Sequence, residues 1–265
     1  MIYTLGVDIG SAFSKAVLCA DGEIKAYAVA PSGGNYRETA RAIAEEPLKK
    51  AGLSFSELSY VVATGYGAAA VDFSDQTVTD ISCQAKGIHR LFPNAQTAID
   101  IGGQFSKVIK IDEDGRVTNF MLNEKCAAGS GKFLQVIARL LHIEIGDIGL
   151  RSLKSQKPVE FNTGCAVFAE AEAVSRIAEG ALVEDILAGV HKAMASKIVN
   201  LVERTGHAGT CAVTGGGAKD IGLVKAIEAE LGVDLFVPEE PQITAAYGAA
   251  LLAAEKAPHQ DMNRT

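Results

Sequence analysis

The sequence predicts an α/β protein whose two halves begin alike, and two observations carry that prediction. Runs of apolar, β-favouring residues alternate with helical patterns along the 265 residues, which is typical of α/β folds. In addition, residues 8–15 (DIGSAFSK) recur as residues 100–107 (DIGGQFSK), with six of the eight positions identical. A chain of this length forms one large domain or two closely packed ones. The repeat therefore predicts two related halves.

The hydrophobic patterns predict strands and helices in this order along the chain. Strands are expected at residues 3–9, 13–19, 60–64, 97–101, 106–111, 118–122, 210–214 and 234–237. Helices are expected at residues 36–51, 80–92, 130–142, 166–178, 183–204, 218–231 and 243–254. Asp-Gly pairs at residues 21–22 and 114–115 indicate a tight turn after each repeated hairpin.

Each copy of the repeat runs from an apolar strand through an acidic residue and a glycine turn into a second strand. Backbone N–H groups in such a turn can bind phosphate, while the carboxylate holds Mg²⁺ or a water. Asp8 and Asp100 are therefore the candidates for Mg²⁺ and water contacts, and Gln104 for orienting an attacking water. The candidate nucleotide-binding residues of the two hairpins are Gly10, Ser11, Ser14, Lys15, Gly102 and Gly103.

A third glycine-rich element lies near the end of the second half. Residues 210–214 form a predicted strand that runs into Gly215, Gly216 and Gly217, and a helical pattern follows. Glycine at a helix start permits close approach of the backbone to a flat or anionic ligand. These three glycines are the candidate turn for the adenosine of a nucleoside triphosphate, which the two hairpins would clamp.

Two other phosphate motifs are weaker. Residues 129–132 (GSGK) suggest a Walker A loop, but Cys126 stands where that motif has glycine and Phe133 where it has serine or threonine. Residues 65–70 match G-x-G-x-x-A after a predicted strand, yet a single match in mid-chain is weak evidence for a dinucleotide site. We assign neither motif a nucleotide-binding role of its own.

Charge and cysteine content limit the partners and the compartment. Lys and Arg number 25 against 32 Asp and Glu, a formal net charge of −7. An acidic chain has no general attraction to nucleic acid or anionic membranes. We also find no signal-peptide pattern at the start and no long apolar stretch. Five widely spaced cysteines without a C-x-x-C pair indicate reduced thiols. These features predict a cytoplasmic protein.

Four further motifs carry a resemblance to a known family. Residues 123–134 (NEKCAAGSGKFL) and 162–172 (NTGCAVFAEAE) look like the two cysteine motifs of the 2-hydroxyacyl-CoA dehydratase activators and the ATPase subunits of benzoyl-CoA reductases. Residues 63–67 (ATGYG) and 81–87 (ISCQAKG) resemble other landmarks of that family. The order of the two hairpins and the glycine turn resembles the actin-like ATPase superfamily. The resemblance extends from about residue 2 to residue 254.

The resemblance implies a two-lobed actin-like ATPase (ribonuclease H-like) fold. The first lobe is expected at residues 1–94 with 243–265, and the second at residues 95–242, with ATP or ADP and Mg²⁺ in the cleft. The implied function is an ATP-driven, low-potential electron donor, a homodimer that shares one [4Fe-4S] cluster between its subunits. The implied partners are an acceptor iron–sulfur protein, which is a dehydratase or reductase component, and a ferredoxin or flavodoxin as upstream donor.

The residues themselves support Cys126 and Cys165 as the cluster ligands that the resemblance implies. Each precedes a helical pattern, and a helix N-terminus lowers the pKa of a thiol and offers free N–H groups to sulfur. A cluster needs four thiolates, and two chains with two such cysteines each would supply them. Cys19, Cys83 and Cys211 lie among strand and helix core residues, so we expect them to be buried.

One departure from the family pattern keeps alternatives open. The second hairpin of the family usually carries Gly-Gly-Gln-Asp, whereas Phe105 stands here in place of the acid. Related ATP-dependent reductases vary at this position, so the chain is a dehydratase activator, a benzoyl-CoA-type reductase subunit, or the reductase of another cluster protein. Two other classes remain, a small-molecule kinase and a polymerising actin-like scaffold. Both would lack iron.

Overall fold

The computed structural model describes residues 1–123, 129–161, 166–206 and 209–258. The chain divides into two units. Unit 1 comprises Met1–Leu91 and Gln242–Thr265, and unit 2 comprises Phe92–Pro241. Each unit contains one five-stranded mixed sheet with its own helices.

The sheet of unit 1 has the strand order β3-β2-β1-β4-β5. Its strands are β1 (Tyr3–Ile9), β2 (Phe13–Ala20), β3 (Glu23–Pro31), β4 (Tyr60–Thr64) and β5 (Gln76–Thr77). The first three strands pair antiparallel, and β4 joins β1 in parallel. The helices of this unit are α1 (Tyr36–Ala51), α2 (Asp80–Leu91) and α8 (Thr244–Lys256).

The sheet of unit 2 has the order β10-β9-β6-β7-β8. Its strands are β6 (Ala95–Ile101), β7 (Ser106–Ile111), β8 (Val117–Leu122), β9 (Thr210–Thr214) and β10 (Leu235–Phe236). Its helices are α3 (Gly131–Leu140), α4 (Ile148–Ser152), α5 (Ala166–Ala178), α6 (Val183–Thr205) and α7 (Ile221–Leu231). As in unit 1, three consecutive strands pair antiparallel and a later strand joins the first in parallel.

The two sheets therefore have the same topology. Strands β1 to β5 correspond in order to β6 to β10, with the same neighbours and the same directions. The repeated eight-residue segment forms the β1–β2 hairpin in unit 1 and the β6–β7 hairpin in unit 2. We call these hairpin 1 (residues 8–15) and hairpin 2 (residues 100–107). The structure confirms the α/β prediction and extends the duplication from eight residues to the whole sheet.

The first sheet is covered by helices on both faces. Leu5, Val7 and Ile9 of β1 pack in one apolar cluster with α1. On the opposite face α8 lies directly on β1, where Gly6 meets the backbone of Ala246 so closely that a Cβ would collide with it. Side chains alternate between faces along a strand, so the residue after Val7 points to the α8 face. That residue is Asp8.

The second sheet packs into a single large apolar cluster. Its β6 and β7 side chains pack against helices α3, α5, α6 and α7. The fully buried members with the largest side chains are Ile99, Ile101, Ile137, Ile148, Ile186, Leu187 and Met194. Among the described residues, no helix is both long enough and apolar enough to cross a membrane.

The predicted elements agree with the structure where the hydrophobic pattern is strong. Strands at 3–9, 60–64, 106–111 and 210–214 and helices at 36–51 and 166–178 have the predicted bounds. The predictions missed β3, β5 and α4, and the predicted strand 234–237 is reduced to Leu235–Phe236. The helix predicted from residue 218 begins only at Ile221, because Gly216–Lys219 forms a 3₁₀ turn and Asp220 then caps α7.

Candidate functional site

In each hairpin the aspartate near the end of the first strand is paired with a lysine on the second strand. Lys15 lies opposite Asp8 in the β1–β2 ladder, and its Nζ is 2.8 Å from Asp8 Oδ2. Lys107 lies opposite Asp100 in the β6–β7 ladder, with Nζ 3.3 Å from Asp100 Oδ2. Both aspartates are buried, where an uncompensated charge is costly. Each lysine therefore neutralises the carboxylate of its own hairpin.

The turn of each hairpin is closed by one backbone hydrogen bond. Gly10 N–H donates to the Phe13 carbonyl at 3.2 Å, and Gly102 N–H donates to the Phe105 carbonyl at 3.0 Å. A Cβ would lie 2.6 Å from the carbonyl oxygen at Gly10 and 2.9 Å from it at Gly102. Such close approach requires glycine at both positions. Between these glycines and phenylalanines each turn is at least partly exposed, and Gln104 is exposed.

A second glycine turn meets each aspartate from the neighbouring parallel strand. Gly65 follows β4 with φ +89°, and Gly215 follows β9 with φ +81°. A Cβ on Gly65 would collide with Asp8 Oδ1, and a Cβ on Gly215 would collide with Asp100 Oδ1. Each carboxylate is therefore enclosed by a lysine on one side and a glycine backbone on the other.

The similarity between these two turns continues for two more residues. A Cβ on Gly67 would collide with the Ile9 side chain in unit 1, and a Cβ on Gly217 would collide with the Ile101 side chain in unit 2. The residue between the glycines is exposed in both turns, Tyr66 in the first and Gly216 in the second. Residues 65–67 are thus the unit 1 counterpart of the predicted adenosine turn. Sequence reasoning missed this relation, although residues 63–68 (ATGYGA) and 213–218 (VTGGGA) carry it.

The two hairpins are supported differently. The Ser14 hydroxyl is buried and lies 2.8 Å from the Ser32 hydroxyl, which donates to the Gly10 carbonyl at 2.6 Å. Ser14 thus supports the turn from the α1 face of the sheet, opposite to the face of Asp8. The equivalent Ser106 is also buried, and its hydroxyl donates instead to the carbonyl of Gly129.

The structure brings most of the predicted nucleotide residues together within each unit. Gly10, Ser11, Lys15 and Asp8 lie on hairpin 1, while Gly102, Gly103, Gln104 and Asp100 lie on hairpin 2. Gly215, Gly216 and Gly217 lie beside hairpin 2. Cys126 and Cys165 fall outside the described residues. Within the described part of the chain, no group of three or more His, Cys, Asp or Glu side chains is arranged to hold a metal ion.

The other three cysteines are buried free thiols, as predicted. Burial raises the pKa of Cys19 to about 12. Burial likewise raises the pKa of Cys83 to about 12, an effect that the Thr64 hydroxyl opposes. Burial also raises the pKa of Cys211. All three thiols are therefore protonated at neutral pH and unsuited to bind metal as thiolates.

Comparison with known sequences decides the family. The BadF/BadG/BcrA/BcrD ATPase family model matches residues 5–253. The chain belongs to this ATPase family. The resemblance drawn from the two cysteine motifs is thereby confirmed.

Relatives of this ATPase-family chain cover nearly its full length. The 2-hydroxyisocaproyl-CoA dehydratase activator of Clostridioides difficile is 39% identical over 97% of this chain and 96% of its own. The (R)-2-hydroxyglutaryl-CoA dehydratase activating ATPase of Acidaminococcus fermentans is 40% identical, with coverages of 97% and 98%. A benzoyl-CoA reductase subunit from Thauera aromatica is 32% identical, with coverages of 96% and 94%.

Solved structures agree with the sequence comparison. The activator of the 2-hydroxyisocaproyl-CoA dehydratase from Clostridium difficile, solved with bound ADPNP, superimposes with a TM-score of 0.92 at 39% identity. That match covers 97% of this chain and 96% of the other. A ROK family glucokinase from Streptomyces griseus has a TM-score of 0.59 at 13% identity, covers 96% and 99% of the two chains, and shows the common fold alone. The predicted actin-like ATPase fold is confirmed.

Proposed function

We propose that this chain is an ATP-dependent, low-potential electron donor. It hydrolyses ATP and passes single electrons from a [4Fe-4S] cluster, shared by two copies of the chain, to a dehydratase or reductase component. A ferredoxin or flavodoxin reduces it in turn, in the cytoplasm. The observation that carries the proposal is family membership over residues 5–253, together with dehydratase activators among the relatives.

The described residues fit a nucleotide with Mg²⁺. Two buried carboxylates, Asp8 and Asp100, stand beside glycine turns, and carboxylate oxygens are the protein ligands that Mg²⁺ prefers. Asp8 of unit 1 and Asp100 of unit 2 are the residues that would hold Mg²⁺ and its waters, and the exposed Gln104 would orient the attacking water. Backbone N–H groups of hairpin 1 and hairpin 2 bind the phosphates. Gly215, Gly216 and Gly217 admit the nucleoside.

The cysteine chemistry of the chain fits a cluster bound between two copies. Three of the five thiols are buried and protonated, so Cys126 and Cys165 remain as the thiolate donors. Helix α5 begins at Ala166, directly after Cys165, and a helix N-terminus favours the thiolate. Two cysteines per chain supply half of a four-thiolate set, which favours a homodimer. When bound, the cluster supplies one-electron redox chemistry.

The first test is the composition of the protein purified without oxygen. We expect a brown dimer with about four iron and four sulfide ions per two chains, because four thiolates complete one cluster. Anaerobic visible spectra, iron and sulfide analysis and light scattering measure this. An iron-free protein with full ATPase activity would overturn the proposal and favour a kinase or a scaffold of the same fold.

Serine substitutions test the ligand assignment. We expect Cys126→Ser and Cys165→Ser each to lose the cluster, because a serine hydroxyl does not replace a thiolate on iron. The matched controls are Cys19→Ser, Cys83→Ser and Cys211→Ser, in which the lost thiol is buried and protonated, so iron content should persist. Iron per chain is measured for all five variants. Normal iron in either of the first two would show that the ligand assignment is wrong.

A further inference from the structure

Ser106 forms hydrogen bonds with the residues on either side of residues 124–128. Its carbonyl accepts a hydrogen bond from the Asn123 N–H at 2.9 Å, and its hydroxyl donates to the carbonyl of Gly129. The two flanks also approach each other, since a Cβ on Gly129 would lie 3.0 Å from Asn123 Nδ2. One buried serine of hairpin 2 therefore fastens Asn123 and Gly129 to the hairpin.

The start of α3 is fastened to the turn of the same hairpin. Gly131 N–H donates to the Gly102 carbonyl, and Lys132 N–H donates to the Gly103 carbonyl, both at 2.9 Å. The first N–H groups of a helix have no partner within the helix, so these two bonds are the cap of α3. A movement of the turn by a few tenths of an ångström would weaken or redirect both bonds.

Among the described residues, hairpin 1 has no such connection to a cysteine motif. Its Gly10 carbonyl accepts from the Ser32 hydroxyl, and the Ala12 carbonyl accepts from Ser32 N–H at 3.0 Å. Ser32 follows β3 within the same unit, and its carbonyl is held in turn by the Thr39 hydroxyl of α1. The repeated serine thus has two roles. In unit 1 it supports the turn locally, and in unit 2 it joins the turn to the segment around Cys126.

We infer that Ser106 is a positioning residue that couples the nucleotide turn of hairpin 2 to the segment carrying Cys126. This inference rests on the proposed function for the identity of the two sites it joins. When the phosphates of a bound nucleotide shift Gly102 and Gly103, the bonds to Gly131 and Lys132 carry the shift to α3. Ser106 carries it to Asn123 and Gly129 at the same time. Both flanks of residues 124–128 then move with the turn.

Hydrogen–deuterium exchange of the intact protein tests the connection, first without nucleotide and then with ADP or ADPNP. We expect Ser106→Ala to raise exchange at residues 129–132 about fivefold, which corresponds to the loss of one hydrogen bond of about 1 kcal/mol. Exchange at Asn123 should change less, because its N–H bonds the main-chain carbonyl of Ser106, which alanine keeps. In the wild type, exchange at these amides should differ between ADP and ADPNP. In Ser106→Ala that difference should shrink, while Ser106→Thr, which keeps the hydroxyl, should restore it.

Ser14→Ala is the matched control, because it removes the equivalent hydroxyl from hairpin 1. In the nucleotide-free protein it should leave exchange at residues 129–132 unchanged, as should Ser196→Ala on the surface of unit 2. Unchanged exchange in Ser106→Ala, or an equal increase in Ser14→Ala, would overturn the inference. Exchange in the nucleotide-free protein tests the hydrogen bonds of Ser106 by themselves. A chain that binds neither ADP nor ADPNP would instead overturn the proposed function.

Discussion

At the scale of single residues, burial makes three thiols of the described part of the chain chemically unavailable. Cys19, Cys83 and Cys211 are each 0% exposed, and burial raises the pKa of all three. The folded protein therefore holds their protons more tightly than the unfolded chain does. A group of this kind stabilises the fold below its ordinary pKa, and the contribution is lost as the pH rises toward the folded value.

This linkage predicts a loss of stability in alkali. The ordinary thiol value is 9.0 and the pKa of Cys19 and of Cys83 is about 12 in the fold, so their contribution declines between these limits. Each thiol adds a slope of up to about 1.4 kcal/mol per pH unit. We expect urea unfolding midpoints to fall above pH 9, and to fall less in the Cys19→Ala, Cys83→Ala double variant. Circular dichroism follows the unfolding of both proteins. An equal fall of the urea midpoint with pH in the wild type and the double variant would contradict the prediction.

At the scale of elements, the glycine turns after β4 and β9 fix the position of the catalytic candidates. Gly65 and Gly215 combine a positive φ with direct contact to an aspartate, so an added Cβ is strained and also collides. Gly232, which caps α7 with φ +71°, has open space around its Cα. Gly215 and Gly232 thus share a positive φ but differ in their surroundings and in ψ, which is 178° at Gly215 and 21° at Gly232.

Comparison of Gly215 with Gly232 gives a prediction about stability and nucleotide binding. Gly232→Ala should cost about 1–2 kcal/mol, the strain of a left-handed alanine. Gly215→Ala should cost about 1–3 kcal/mol more, because its Cβ must displace the Asp100 carboxylate and its backbone lies in a region that only glycine adopts readily. Thermal unfolding and calorimetric titration with ADP measure the two effects. Only Gly215→Ala should weaken ADP binding, and equal affinity in both variants would count against the role of this turn.

Elements with strong local signals could be predicted from the sequence. Helix α1 has Asn35 as its N-cap and Gly52 as its C-cap, and both signals lie beside a clear apolar stripe. Strand β3 was missed because only one of its nine residues is buried and it ends in proline. Helix α4 has five residues, too few for a periodic pattern.

The candidate site was predictable only in part. The repeat identified Asp8 and Asp100, because the eight residues are nearly the same in both copies. It did not reveal that Ser14 and Ser106 have different partners, since those partners, Ser32 and Gly129, lie on segments without sequence similarity. Long-range contacts of this kind are absent from local patterns.

At the scale of the whole molecule, the duplication extends further in the structure than in the sequence. Both sheets share strand order, direction and the pairing of an aspartate with a lysine across the first hairpin. Identity persists where the backbone is tight or the charge is buried, which are the places where few residue types fit. Elsewhere the halves have diverged, and the cysteine motifs occur only in unit 2.

This division predicts that ATP hydrolysis and electron storage are separable. Asp8→Asn and Asp100→Asn each remove a charge from a place to which the proposed function assigns Mg²⁺ and water, so we expect ATP hydrolysis to fall about 100-fold or more. Both positions lie outside the two cysteine motifs. The variants should therefore stay brown and dimeric and yet fail to reduce the acceptor protein. Phosphate release, iron content and acceptor reduction are measured on the same preparations.

The control for these variants is Asp114→Asn in the turn after β7. Asp114 has an exposed side chain and pairs at the surface with Arg116, so its loss should change hydrolysis less than twofold, as expected for a surface ion pair of about 0–1 kcal/mol. Thermal unfolding checks that Asp8→Asn and Asp100→Asn remain folded despite the unpaired Lys15 or Lys107. Acceptor reduction that persists in either variant after hydrolysis has stopped would show that electron transfer does not depend on this nucleotide site.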